Sequence, residues 1–185
     1  MRLPRRWVIF VAVALVTLAA DQGSKAWAHT LPTTAHCDNA GMIAQTCGGI
    51  PQPVITGYWD WELAMNPGAA FSSFIGTDVA RVALSLLAMI AVIYIGVLAW
   101  RTASAERLKR VALALVAGGA LGNLVDRLHY GAVTDFVRWR IGEHRWPIFN
   151  VADAALLVGA VLLVLTASSR SASRRKLEAS ASLQT

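Results

Sequence analysis

The sequence predicts a mainly α-helical membrane protein, with four transmembrane helices and short strands in the loops that join them. Three observations predict this. Hydrophobic residues make up 56% of the 185-residue chain, charged residues only 15%, and the mean hydropathy is +0.50. The apolar residues fall in blocks, each near the roughly 20 residues a helix needs to cross about 30 Å of hydrocarbon. Most of the Lys and Arg residues sit at the ends of these blocks, in "MRLPRR", "RTASAERLKR" from Arg101 and "RSASRRK" from Arg170, with none between Ala26 and Ala80.

The blocks give spans over about 7–27, 79–100, 108–128 and 148–167 within one membrane domain, residues 1–169. Trp7, Trp27 and Trp100 stand at span ends, where indole favours the interface. Cytoplasmic loops carry the excess of Lys and Arg, so the basic segments and both termini are expected inside. The loops over about 28–78 and 129–147 then lie outside. The Ser- and Ala-rich end, 170–185, reads as a basic, disordered cytoplasmic tail. The net charge of +6 is thereby assigned to topology. No basic face interleaved with aromatics exists for nucleic acid.

The first span has a rival reading. "MRLPRR", an apolar run and "AWA" at Ala26–Ala28 are also the parts of a cleavable secretory signal. In the outer loops, "PQPVITGYWDWELAMN" and "GAVTDFVRWRIG" are rich in β-branched and aromatic residues with partial alternation, which predicts short strands. Cys37 and Cys47 lie on the oxidising side, where a disulfide is open but not fixed by spacing. Neither they nor the four His residues follow a zinc pattern, and no metal is expected.

Polar residues at membrane depth carry the functional signal, because an Asp at a span centre costs about 3 kcal/mol on insertion scales. They collect at the outer ends of the spans. Asp21 and Lys25, four apart, share a helix face and can pair. Asn123, Asp126 and Arg127 fall at i, i+3 and i+4, with Gly118, Gly119 and Gly122 allowing close helix approach nearby. Asn150 and Asp153 open the last span, and Asp135 lies in the strand-like stretch outside the third.

Each has a plainer explanation. Asp21 with Lys25, and Asp126 with Arg127, would serve as neutralised pairs that join helices; Asn150 suits a helix N-cap; Asp135 suits an exposed loop. With the local pairs assigned, Asp135 and Asp153 keep no basic residue at helical spacing, although Arg138 and Arg140 remain open partners for Asp135. Two carboxylates converging at a semi-dry surface would share a proton. One would then take a proton from water while the other polarised a peptide carbonyl. A small proton or ion transporter, or a membrane assembly subunit, is the alternative use of buried acids.

The stretches "DQGSK" from Asp21, "NPGAAF" from Asn66, "GGALGNLVDR" from Gly118, "VTDF" from Val133 and "FNVAD" from Phe149 together resemble lipoprotein signal peptidases, the signal peptidase II family of bacterial intramembrane aspartic proteases. The resemblance spans about Trp7 to Ala167. It implies four transmembrane helices with a small extracytoplasmic β-sheet platform, in the bacterial inner membrane, with the active site near the outer face. The implied activity removes the signal peptide from a prolipoprotein, on the N-terminal side of a Cys carrying diacylglycerol. Partners would be that lipid-modified substrate and membrane lipids, acting on a monomer, without a cofactor. The resemblance makes Asp135 and Asp153 the catalytic pair. Asn66, Asn123, Arg127 and Asn150 would bind substrate backbone or support the pair, and Asp21, Lys25, Asp126 and Gly122 would orient or hold structure. It also implies that the first helix is retained. Two departures stand out: Thr134 replaces a usually aliphatic residue, and the stretch from Ala28 to Thr56 is longer than the usual connection.

Overall fold

The four apolar blocks each fold as one helix, because a chain in lipid must satisfy its backbone hydrogen bonds within itself. A computed structural model describes residues 5–34, 48–68, 77–103 and 106–182. Helices α1 (Arg5–Ala28), α2 (Thr77–Arg101), α3 (Arg107–His129) and α4 (Val151–Ser182) all contain stretches long and apolar enough to cross a membrane. Among the described residues four strands accompany them: β1 (Gln52–Ile55), β2 (Trp59–Asn66), β3 (Val133–Ile141) and β4 (His144–Arg145). The expected fold class, a four-helix membrane protein with a small sheet, is therefore the one observed. Helix α4 runs past the apolar block to Ser182, so residues 170–182 are helical backbone where a disordered tail was expected. Ala, Leu, Arg, Lys and Glu in "RSASRRKLEASAS" are good helix formers, and they extend a helix already nucleated in the bundle. Cys37, Cys47 and the end of "NPGAAF" lie outside the described residues.

Helix α3 is the hub against which the other three pack. Small residues make this possible. A Cβ on Gly119 would stand 2.6 Å from the Ala152 carbonyl oxygen of α4, and one on Gly122 would meet the Asp21 carboxylate of α1. The glycines thus admit two helices at once, one on each side. The outer faces of α1, α2 and α4 keep Leu15, Val16, Leu87, Ile90, Ile93, Leu157 and Val164 exposed, a surface suited to lipid.

The sheet is antiparallel in the order β1-β2-β3-β4 and sits at the end of the bundle formed by the last turns of α1 and α3 and the first turn of α4. Its β2–β3 register pairs Asn66 with Val133, Met65 with Thr134 and Ala64 with Asp135. Side chains alternate between faces, so Asn66 and Asp135 share one face while Met65 and Thr134 share the other. Ala28, Leu63, Phe136 and Val137 form a buried cluster, flanked by Leu31, Trp59, Trp61, Phe149 and Val151, that fixes the sheet to the helix ends. That fixed edge brings β3 to the start of α4.

Candidate active site

The site begins with a helix cap. Asn150 precedes α4; its side-chain oxygen accepts the Asp153 N–H at 2.9 Å, and Asp153 Oδ2 accepts the Asn150 N–H at 3.2 Å. This reciprocal cap satisfies one of the orphan donors of the first turn. It leaves the Asn150 amide nitrogen for other work. That nitrogen donates to Asp135 Oδ1 at 2.7 Å and lies 3.2 Å from both the Thr134 carbonyl oxygen and Asn123 Oδ1. The N-cap explanation of Asn150 and a site role are thus compatible: one end of the amide caps α4, the other holds Asp135.

The two acids are each gripped by amides. Asp135, 3% exposed, accepts from Asn150 and from Asn66 Nδ2, the latter at 3.1 Å across the β2–β3 register. Asn66 is itself fixed, because its oxygen accepts the Gly68 N–H at 2.9 Å. Asp153, half-buried, accepts from Asn123 Nδ2 at 2.9 Å. Burial, and then the neighbouring Asp153 charge, push Asp135 up to about 7, against the opposing pull of the Asn66 and Asn150 hydrogen bonds and of Lys25. The two carboxylates therefore act on one another electrostatically, and near neutral pH Asp135 can hold a proton.

Behind this pair lies a buried ionic layer. Lys25 Nζ meets Asp21 Oδ2 at 2.8 Å, Asp126 Oδ2 at 3.2 Å and Asn123 Oδ1 at 2.9 Å, so its three donors have three acceptors. Asp21 Oδ1 reaches across to the Ala152 N–H of α4 at 2.9 Å, and Asp126 Oδ2 accepts the Thr134 N–H at 2.8 Å. The helix α4 terminus favours the anion at Asp21. This layer ties α1, α3, β3 and α4 to one point, and Gly122 leaves the space in which the Asp21 carboxylate sits.

One suggested pairing is not formed, and neither is one that the sequence left open. Asp126 does not pair with Arg127, because adjacent helix residues point about 100° apart; Asp126 faces Lys25, whereas Arg127 donates to the Asn123 carbonyl at 3.3 Å and lies in the field of Asp153 and Asp135. Its Nε has no hydrogen-bond partner among the described residues. Arg138 and Arg140 do not pair with Asp135 either. Arg138 binds Glu62 at 2.5 Å and Arg140 binds Asp60 at 3.2 Å. Burial lifts the Glu62 carboxyl above its usual range, with Arg138 opposing.

All ten singled-out residues thus fall in one place, with Asp135, Asp153, Asn66, Asn123, Arg127 and Asn150 around the acids and Asp21, Lys25, Asp126 and Gly122 behind. Sequence reasoning missed Gln22, whose amide lies 3.2 Å from Asp21 Oδ2, Asp126 Oδ1 and the Gly122 carbonyl. Its place inside "DQGSK" was the available signal.

Comparison with known proteins supplies the family. The family described as Signal peptidase (SPase) II matches residues 13–168. A lipoprotein signal peptidase of Xanthomonas campestris pv. campestris (strain 8004) is 39% identical over 161 residues, covering 85% of this chain and 87% of its own length. One of Xylella fastidiosa (strain 9a5c) is 37% identical over 158 residues, covering 83% and 84%. A solved bacterial membrane enzyme structure, obtained by the in meso method, superimposes with a TM-score of 0.70 at 25% identity, covering 88% of each chain.

Proposed function

Since the chain belongs to the signal peptidase II family, we propose that Asp135 and Asp153 are its catalytic pair, held by Asn66, Asn123 and Asn150. The activity is that of an aspartic endopeptidase that removes signal peptides from prolipoproteins, and the chain is a multi-pass protein of the bacterial inner membrane. The carrying observation is the Asn150 amide, which accepts from the Asp153 backbone at 2.9 Å and donates to Asp135 at 2.7 Å.

Asp135 holds the shared proton, being the carboxyl that burial and Asp153 raise to about 7. It donates that proton as a hydrogen bond to the scissile carbonyl oxygen. Asp153 takes a proton from water, and the oxygen of that water attacks the carbonyl carbon. Breakdown returns the proton from Asp153 to the leaving nitrogen as the C–N bond breaks. Arg127, held to Asn123 by one nitrogen, aligns the substrate backbone with its remaining donors. Asn66 acts chiefly on Asp135, since its oxygen is already bound to Gly68.

The bond cleaved lies on the N-terminal side of the diacylglyceryl-modified Cys, with the signal helix and lipid entering from the bilayer. The basic segments support both termini inside and hence a site at the outer face. A site assembled within one chain supports action as a monomer. Lys25 and Asp21, in the buried layer behind the acids, support retention of α1. An ion relay would need acids distributed across the bilayer; these share one level. Incubating the purified protein with diacylglyceryl-modified and unmodified prolipoprotein, then reading the new N-terminus by mass spectrometry, tests the reading. Cleavage before the modified Cys alone is expected; cleavage of neither, or elsewhere, would contradict it.

A further inference from the structure

The residue before Asp135 is held from the reverse side of β3 by a residue that follows α1. Thr134 is fully buried, and each of its polar groups is engaged. Its N–H donates to Asp126 at 2.8 Å, its carbonyl lies 3.2 Å from the Asn150 amide, and its hydroxyl lies 3.2 Å from His29 Nε2. The hydroxyl also lies 3.9 Å from Met65 Sδ, and the imidazole tautomer sets which partner donates in the His29–Thr134 bond. His29 is held in turn. Its N–H donates to the Lys25 carbonyl at 3.0 Å, and its ring lies 4.9 Å from the Tyr130 ring. An aliphatic side chain at 134 would fill the space but make no hydrogen bond with His29.

We propose that His29 and Thr134 form a positioning pair for the proteolytic reaction, fixing the backbone of β3 so that Asp135 faces Asp153. The proposal rests on the catalytic reading above. Strand alternation puts the Thr134 side chain opposite that of Asp135, so the pair touches neither substrate nor the acids. It acts through the peptide unit the two residues share. Burial lowers the His29 pKa, with His129 adding and Asp126 opposing, which keeps the ring neutral at neutral pH and places no charge behind the strand.

The test is a double-mutant cycle on the full chain, with kcat and KM measured on diacylglyceryl-modified prolipoprotein for T134V, H29A, their double variant, T134S and H29Q. A single hydrogen bond is worth about 1 kcal/mol net, and its loss from a positioning device lowers kcat about fivefold. T134V and H29A should each show that fall with KM within about twofold, and the double variant should fall no further than the worse single. T134S and H29Q, which keep a hydroxyl and an N–H, should restore most of kcat; they also carry the test if T134V does not fold. A T134V kcat within about twofold of the parent, losses that multiply, or changes confined to KM would overturn the pair. An inactive parent, or an active D135N, would instead overturn the catalytic reading.

Discussion

Replacing Asp135 with Asn should make stability less sensitive to pH, by an amount that follows from its surroundings. Burial and Asp153 raise the carboxyl from 3.8 to about 7. Between about pH 4 and pH 7 the folded chain therefore holds a proton that the unfolded chain releases. The native state binds more protons, so stability falls as pH rises through that window and levels off above it. From pH 5 to pH 8 the loss integrates to about 2.5 kcal/mol, at 1.36 kcal/mol per unit. An Asn at 135 cannot ionise and has no such slope. The measurement is unfolding of parent and variant in the same detergent micelles at both pH values. Other titrating groups cancel in the difference between the two proteins. The variant should gain on the parent by about 2.5 kcal/mol on going to pH 8. An unchanged gap would refute the reasoning, because it would mean that Asp135 is ionised throughout.

Lys25→Met should leave the Asp21 and Asp126 carboxylates, 0% and 1% exposed, without their cation. A buried pair broken on one side costs about 3–5 kcal/mol, to be read as a lowered unfolding midpoint. Gly122→Ala should push the Asp21 carboxylate off the Ala152 N–H, costing about 2–3 kcal/mol and lowering turnover with it. Arg138→Ala should keep turnover within about threefold, since its partner is Glu62 and a partly exposed pair is worth about 1 kcal/mol. A large loss of turnover there would mean that Arg138 acts on Asp135 after all.

Much of the fold was legible because lipid imposes a simple rule: a long apolar run must be a helix. The Asp21–Lys25 pair was legible for a similar reason, since four residues along a helix is one face. What lay between elements was not. Helix geometry separates Asp126 from Arg127, but nothing local says that Asp126 meets Lys25; that follows from the glycines that let α1 reach α3. Likewise the separation of Arg138 from Asp135 depends on Glu62, and so on a β2–β3 register with a bulge between Trp61 and Ala64. The tail differed for a further reason: composition alone misses that a helix once nucleated extends cheaply.

The central claim is that Asp135 and Asp153 together perform the hydrolysis. It is tested most directly by the turnover of D135N and D153N on diacylglyceryl-modified prolipoprotein, each checked for an unchanged helical spectrum and a single detergent-bound species. Each variant is expected to lose about a thousandfold or more, because D135N lacks the proton that polarises the scissile carbonyl and D153N lacks the base that takes the proton from water and returns it to the leaving nitrogen. Near-parental turnover in either folded variant would contradict the claim.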